Sequence, residues 1–198
     1  MIQNHIVARG IRDANVLEAM LRIPRELFVA PECREQAYED KALPIGPGQT
    51  ISQPYIVAYM TQMLLLEPTH RVLEVGTGTG YQTAILAQLS AQVHTVELDQ
   101  NLTQEAARRL AALGLDQNVA FRSGDGVEAW RDAGPFDRIL VTAGSPTLPE
   151  ALMTQLAIGG LMIVPVGRGK TQMMLRLRIR DGVRVEQPLI ACRFVPLV

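Results

Sequence analysis

Three glycines at alternate positions, Gly76, Gly78 and Gly80, follow the apolar run Val72-Leu73-Glu74-Val75 and precede a helical pattern. Glycine at such a strand-to-helix turn tolerates unusual dihedrals and lets a ligand approach the backbone closely. Downstream, Glu97 ends a second strand-like run, where a carboxylate can accept both hydroxyls of a ribose, and Asp125-Gly126 follows a third, where an adenine edge would lie. Singly, the glycines make a tight turn and each acid a solvated strand-end charge. Together, at the carboxyl ends of parallel strands, they suit an adenosine-bearing cofactor. A dinucleotide fingerprint, GxGxxG, requires glycine directly after Gly80, and Tyr81 stands there, which argues against NAD.

A hydroxyl lies upstream of these glycines. Ser52 stands just ahead of a helix begun at Pro54, where a hydroxyl and free backbone N–H groups can hold an anion or simply cap the helix. No Cys-His or Ser-His-Asp arrangement suggests nucleophilic catalysis. The cysteines, Cys33 and Cys192, are far apart, and His5, His70 and His94 form no ligand cluster, so no metal or disulfide framework is expected.

These residues need elements to position them. Asp13 is placed to cap a helix with Val16, Leu17, Met20 and Leu21 on one face, limited by Pro24. Residues 42–53 carry too much Gly and Pro for a regular element and read as a loop, followed by the helix from Pro54. From Arg71 onward, short apolar runs alternate with helical periods. Strands are predicted at 71–75, 93–97, 119–123, 138–142 and 161–165, and helices at 81–89 and 101–113 with a further one around 127–130. Thr147-Leu148-Pro149-Glu150 reads as a capping box opening a helix to about Leu156. That alternation implies a mainly parallel sheet covered on both faces. Residues 173–180 and 183–192 alternate polar with apolar around Asp181-Gly182, so the sheet should finish with an antiparallel hairpin. Trp130 reads as core, and Arg176, Arg178 and Arg180 as a solvated strand face.

The 198 residues, 47% hydrophobic, suffice for one domain with its own core. Nineteen Lys and Arg against 20 Asp and Glu give a net charge of −1, so the composition carries no nucleic-acid footprint. The start, MIQNHIVARGIRD, lacks a signal-peptide apolar run, and no stretch nears the roughly 18 apolar residues that span a bilayer, so a cytoplasmic protein with no membrane partner is expected.

Glu74 ahead of the glycines and the closing hairpin resemble the class I methyltransferases that bind S-adenosylmethionine. A narrower set of blocks lies in the first part of the chain: Ile23-Pro24-Arg25-Glu26-Leu27-Phe28-Val29, Ala37-Tyr38-Glu39-Asp40, Leu43-Pro44-Ile45-Gly46 and Gly48-Gln49-Thr50-Ile51-Ser52-Gln53-Pro54. Tyr81-Gln82-Thr83-Ala84, Gly124-Asp125-Gly126, Gly159-Gly160, Val164-Pro165-Val166-Gly167 and Phe194-Val195-Pro196-Leu197 follow. In this order they resemble the protein-L-isoaspartate O-methyltransferases over essentially the whole chain. Two departures stand out: Val127-Glu128-Ala129-Trp130 where the family often has a further glycine, and Thr142-Ala143-Gly144-Ser145 where it has an alanine-rich stretch.

The resemblance implies an α/β, Rossmann-like, doubly wound sheet in a single methyltransferase domain over 1–198, with N-terminal helices and a substrate loop in 1–70 and the cofactor core in 71–198. It implies that S-adenosylmethionine is held by Ile51, Gln53, Glu74, Gly76, Thr77, Gly78, Gly80, Glu97, Leu98, Asp125 and Gly126. It implies methyl transfer to the free α-carboxylate of L-isoaspartyl residues in damaged proteins and peptides, starting repair through a succinimide, by a monomer. Ser52 would act beside the reacting oxygen, with Ser52, Gln53, Pro54, Val195 and Pro196 along the substrate cleft; loop packing is the plainer role for the last four. The nucleophile, with a pKa of about 4, is already ionised at neutral pH, so alignment and desolvation rather than a strong base should carry the rate. A class I methyltransferase of a small metabolite or RNA would keep the cofactor site without needing the Thr50–Pro54 loop. A non-enzymatic nucleoside-binding module would not need the glycines, Glu97, Asp125 and Ser52 all intact.

Overall fold

The computed structural model describes residues 1–169, 171–180 and 182–197. Its centre is a seven-stranded sheet. The strands are β3 (Arg71–Val75), β4 (Gln92–Glu97), β5 (Val119–Ser123), β6 (Phe136–Val141), β7 (Leu156–Val166), β8 (Gln172–Arg180) and β9 (Val183–Cys192), in the order β5-β4-β3-β6-β7-β8-β9. β3 to β7 run parallel, and β8 lies antiparallel between β7 and β9. The hairpin is thus present; Asp181, half of its turn signal, lies outside the described residues.

The chain moves outward from β3 to β4 and β5, then returns to place β6 on the other side of β3. This reversal opens a crevice at the carboxyl ends of β3 and β6, where open α/β sheets bind ligands. β3 explains why both faces must be covered. Leu73 and Val75 pack with Trp130, Phe136 and Leu152, while Val72, on the opposite face, joins Met60, Leu64 and Leu86. The helices α1 (Ala14–Arg22), α2 (Pro54–Met63) and α3 (Tyr81–Leu89) carry much of the second face, and α4 (Gln100–Ala112) adds Leu110 beside Tyr81, Ala84 and Ile85. Asp13 caps α1 by accepting from the N–H groups of Asn15 and Val16 at 3.0 and 3.2 Å. Trp130 is buried, its indole N–H donating to the Thr95 carbonyl at 3.0 Å.

Three sequence expectations are corrected. Residues 42–53 are not a plain loop: β1 (Leu43–Gly46) and β2 (Gln49–Ile51) form a short antiparallel hairpin. Gly48, at φ +71°, supplies the left-handed residue of its turn, and Pro44 is tolerated because a two-stranded ribbon leaves edges that need no donor. Around 127–130 there is no helix. Asp125 Oδ1 accepts from Val127 N–H at 2.7 Å, and the following bonds, Arg131 N–H to Glu128 and Ala133 N–H to Trp130, close three-residue turns. The helix expected from Thr147 is only α5 (Glu150–Met153), with Pro149 at its N-cap and no side-chain cap. Phe136 N–H already bonds the Gln155 carbonyl and Leu156 pairs with Phe136, so the sheet takes the chain before the helix can lengthen.

Candidate active site

The glycine turn closes over the end of β3. Gly76, Gly78 and Gly80 have φ of +100°, +53° and +89°, conformations that L side chains rarely adopt. The N–H of Gly76 and that of Thr77 both reach the Val96 carbonyl, at 2.9 and 3.2 Å, which ties the turn to β4. Glu97, buried at the end of β4, accepts from Gly78 N–H at 2.9 Å through Oε2 and from Asp99 N–H at 3.3 Å through Oε1. Both oxygens retain lone pairs for a diol.

Gly76, Gly78 and Glu97 border a cleft of about 650 Å³, its mouth included, lined also by Leu98, Gly124, Gly126, Ala143, Val195 and Pro196. The lining fits a nucleoside that needs close backbone approach: a Cβ on Gly76 would stand 2.2 Å from Thr142 Oγ1, and one on Gly126 would stand 2.4 Å from Val75 Cγ1. A second, larger cleft of about 1040 Å³ opens beside it, lined by Ser52, Gln53, Tyr55, Phe194 and Val195 among others. Thr50 and Thr142 line both clefts, and Ser52 also borders the narrow space under the glycine turn. The two clefts therefore meet at Thr50, Thr142 and Val195, with Ser52 beside that junction on the larger cleft.

Ser52 is not the cap of α2. That place belongs to Gln53, with no side-chain cap bond. The Ser52 carbonyl accepts from Arg25 Nη2 at 2.7 Å. Arg25 is fully buried, donates Nε–H to the Ala37 carbonyl at 2.8 Å and lies over the Tyr81 ring, and burial lowers its pKa. It thus fixes the backbone that carries Ser52. In the sequence Arg25 is one residue of the Ile23–Val29 block, and its signal there is an arginine set among Ile23, Pro24, Leu27 and Phe28.

Not every candidate reaches the clefts. Gly80 lines neither; its missing Cβ makes room for Leu110 of α4, which would be 2.7 Å away. Pro54 is buried as the first residue of α2, and Ile51 and Thr77 border only the narrow space under the turn. Gln53 donates its amide to the Asp40 carbonyl at 2.8 Å, bracing the loop. Asp125 is exposed, its carboxylate turned to Val127, while its neighbours Gly124 and Gly126 line the cofactor cleft.

Glu74 faces α3, away from the clefts. Its Oε2 accepts from Thr83 at 2.5 Å and from Thr95 at 2.7 Å, and Thr95 in turn meets Thr77 at 2.6 Å. Complete burial pushes its carboxyl up to about 8 despite those hydrogen bonds. Because the folded pKa exceeds the ordinary 4.5, the folded protein keeps a proton that the unfolded chain gives up. This stability is full below pH 4.5 and is lost as pH rises through 8, with a slope of at most about 1.4 kcal/mol per pH unit. The urea midpoint should therefore fall between pH 5 and about 8.5 more steeply in the wild type than in Glu74→Gln, which has no proton to lose. Parallel profiles would remove Glu74 from the pH response.

Glu97→Ala removes the acceptor for a ribose diol and the anchor of Gly78. Affinity for the cofactor product should fall about tenfold or more, the worth of a charged acceptor at roughly 1.5–3 kcal/mol. Titration calorimetry checks this, and an unchanged Kd would remove Glu97 from the site.

Fold, glycine turn and terminal carboxylate of β4 together define a class I methyltransferase that uses S-adenosylmethionine. A family model, protein-L-isoaspartate(D-aspartate) O-methyltransferase, matches residues 1–198, and the chain belongs to that family. A protein-L-isoaspartate O-methyltransferase 1 of Anaeromyxobacter sp. is 52% identical over 194 residues, covering 97% of this chain and 92% of that protein. A solved protein-L-isoaspartate O-methyltransferase superposes with a TM-score of 0.85 at 32% identity, over 96% of this chain and 62% of that one. A Plasmodium falciparum structure described as the same enzyme, in complex with S-adenosyl-L-homocysteine, gives 0.84 at 26% identity over 97% and 94%.

Proposed function

We propose that Ser52 orients the α-carboxylate of an L-isoaspartyl residue at the junction of the two clefts while the protein transfers a methyl group to it from S-adenosylmethionine. The observation that carries this reading is that Ser52 lines both the larger cleft and the narrow space under the glycine turn, beside Thr50 and Thr142, which border the cofactor cleft as well. S-adenosylmethionine supplies an electrophilic methyl on a sulfonium, and the residues that would hold it are Gly76, Gly78, Glu97, Leu98 and Gly126.

The remaining work falls to the chain itself. Arg25 fixes the Ser52 backbone. The Ser52 hydroxyl donates to one carboxylate oxygen and leaves the other to attack. Val195 and Pro196 wall the junction and exclude water, which favours a step in which carboxylate and sulfonium charges cancel. No proton is transferred, so no general base is needed. The backbone amide nitrogen next in the substrate then displaces methanol from the ester to close a succinimide, and water opens that ring in part to the normal aspartyl linkage, the start of repair.

The family match does not favour the small-metabolite or RNA alternative. We read the protein as a monomer of the cytoplasm with isoaspartyl proteins as its partners and neither nucleic acid nor membrane among them. In support, the charge is nearly balanced, and among the described residues no helix is long and apolar enough to cross a membrane. The decisive experiment is labelled methyl transfer to paired isoaspartyl and aspartyl peptides. Only the isoaspartyl peptide should be labelled, and equal labelling would overturn the substrate assignment.

A further inference from the structure

Gln172, the first residue of β8, is a buried amide with no part in the chemistry above. Its Nε2 donates to the Gly169 carbonyl at 3.0 Å, and its Oε1 accepts from Phe194 N–H at 2.9 Å. Both ends of the side chain are thus used. The amide lies in a cradle that glycine makes possible: a Cβ on Gly144 would come within 3.0 Å of its Cδ, and one on Gly167 within 3.1 Å of its Cα.

Beyond Phe194 the chain crosses the end of β6. Gly144 N–H donates to the Val195 carbonyl at 2.7 Å, and Leu197 N–H donates to the Gly144 carbonyl at 2.8 Å. Val195 faces both clefts, and Pro196 and Leu197 face the one beside the glycine turn. Of these contacts, the bond from Phe194 to Gln172 is the side-chain tie that sets where this arm enters.

We propose that Gln172 is a positioning residue for methyl transfer, its amide fixing Phe194 and thereby the wall that Val195 and Pro196 present to cofactor and substrate. The proposal rests on the assignment of the two clefts made above. Removing the tie leaves the reacting groups in place but lets the wall wander, so binding of both reactants suffers more than the step itself.

The test compares Gln172→Met, which keeps the volume and removes both hydrogen bonds, with Gln172→Glu, which keeps the acceptor for Phe194. In Gln172→Met the calorimetric Kd for S-adenosylhomocysteine and the KM for an isoaspartyl peptide should each rise about 5–10-fold, while kcat at saturation stays within about threefold. Gln172→Glu keeps the acceptor for Phe194 but sets its other oxygen against the Gly169 carbonyl, so both values should recover in part, to between those of Gln172→Met and wild type. A purely structural residue would lower the melting temperature and leave Kd and KM unchanged in the folded variant, and that result overturns the proposal, as does equal behaviour of the two variants. In the wild type, the Phe194 amide should exchange with solvent as slowly as the paired amides of β9; rapid exchange also overturns it, whether or not a variant folds. A wild-type protein that methylates no isoaspartyl peptide would instead defeat the substrate reading, and calorimetry would still decide the tie.

Discussion

Gly76→Ala is expected to weaken binding of S-adenosylhomocysteine by roughly 100-fold or more, the largest loss from any single methyl group added to this protein. Two costs combine. A φ of +100° is strained for alanine by about 1–3 kcal/mol, and the new Cβ would stand 2.2 Å from Thr142 Oγ1. That hydroxyl cannot easily give way, because its one proton is held between the Gly76 carbonyl at 2.6 Å and the Val75 carbonyl at 2.9 Å. Displacing it forfeits that one hydrogen bond, about 0.5–1.5 kcal/mol, which with the strain reaches the ~3 kcal/mol of a hundredfold change. Relief of either cost moves the glycine turn away from Gly78 and Glu97. The double variant Gly76→Ala with Thr142→Ala removes the collision and leaves the strain, so it should recover part of the affinity. Calorimetry on proteins shown to be folded decides the matter, and wild-type affinity in the single variant would mean that the turn adapts freely.

Ser52→Ala should lower turnover of an isoaspartyl peptide by roughly 10–100-fold, about 1.4–2.8 kcal/mol of barrier, with cofactor affinity near wild type. The nucleophile is already ionised, so what disappears is one hydrogen bond and the alignment it enforces. The structure sharpens the contrast with a capping role. Gln53 holds the cap position of α2, and among the described residues the Ser52 hydroxyl bonds none, whereas loss of a working cap costs about 1 kcal/mol of stability. The variant should therefore unfold within a few tenths of a kcal/mol of wild type, because Arg25 holds the Ser52 carbonyl and not its side chain. Single-turnover methyl transfer and a denaturation curve on the same sample separate the two roles. Intact turnover with lower stability would return Ser52 to a structural part.

The succession of strands along the chain and the site residues at their carboxyl ends were legible because apolar runs and glycine punctuation report directly on elements buried on both faces, whereas the order of strands within the sheet was not. The period of two along β3 also contained more than was taken from it: Glu74 shares a face with Val72, opposite Leu73 and Val75, so a buried carboxyl beside α3 follows from the strand alone. The β1–β2 hairpin was hidden because Gly46-Pro47-Gly48 dominates so short a segment that no alternation can show. The length of α5 could not be read locally, since Leu156 is claimed by pairing with Phe136, a contact distant in sequence. For the same reason nothing local in the sequence ties Arg25 to Ser52 or Gln172 to Phe194. Each acts on a backbone group far along the chain, Arg25 on Ser52 and Gln172 on Phe194.

The grip of Arg25 has a consequence for how the protein meets its surroundings. Among the described residues no carboxylate pairs with this buried guanidinium; its bonds go to the carbonyls of Ala37 and Ser52. Dissolved ions weaken attraction between exposed charges separated by solvent, but they cannot enter a dry contact between a cation and two carbonyl dipoles. The exposed pairs, such as Arg22 with Glu18 and Lys41 with Glu39, loosen as ionic strength rises. The hold of Arg25 on the Ser52 carbonyl is thus insensitive to ionic strength, whereas the Arg9–Asp40 pair at the other side of the loop is not.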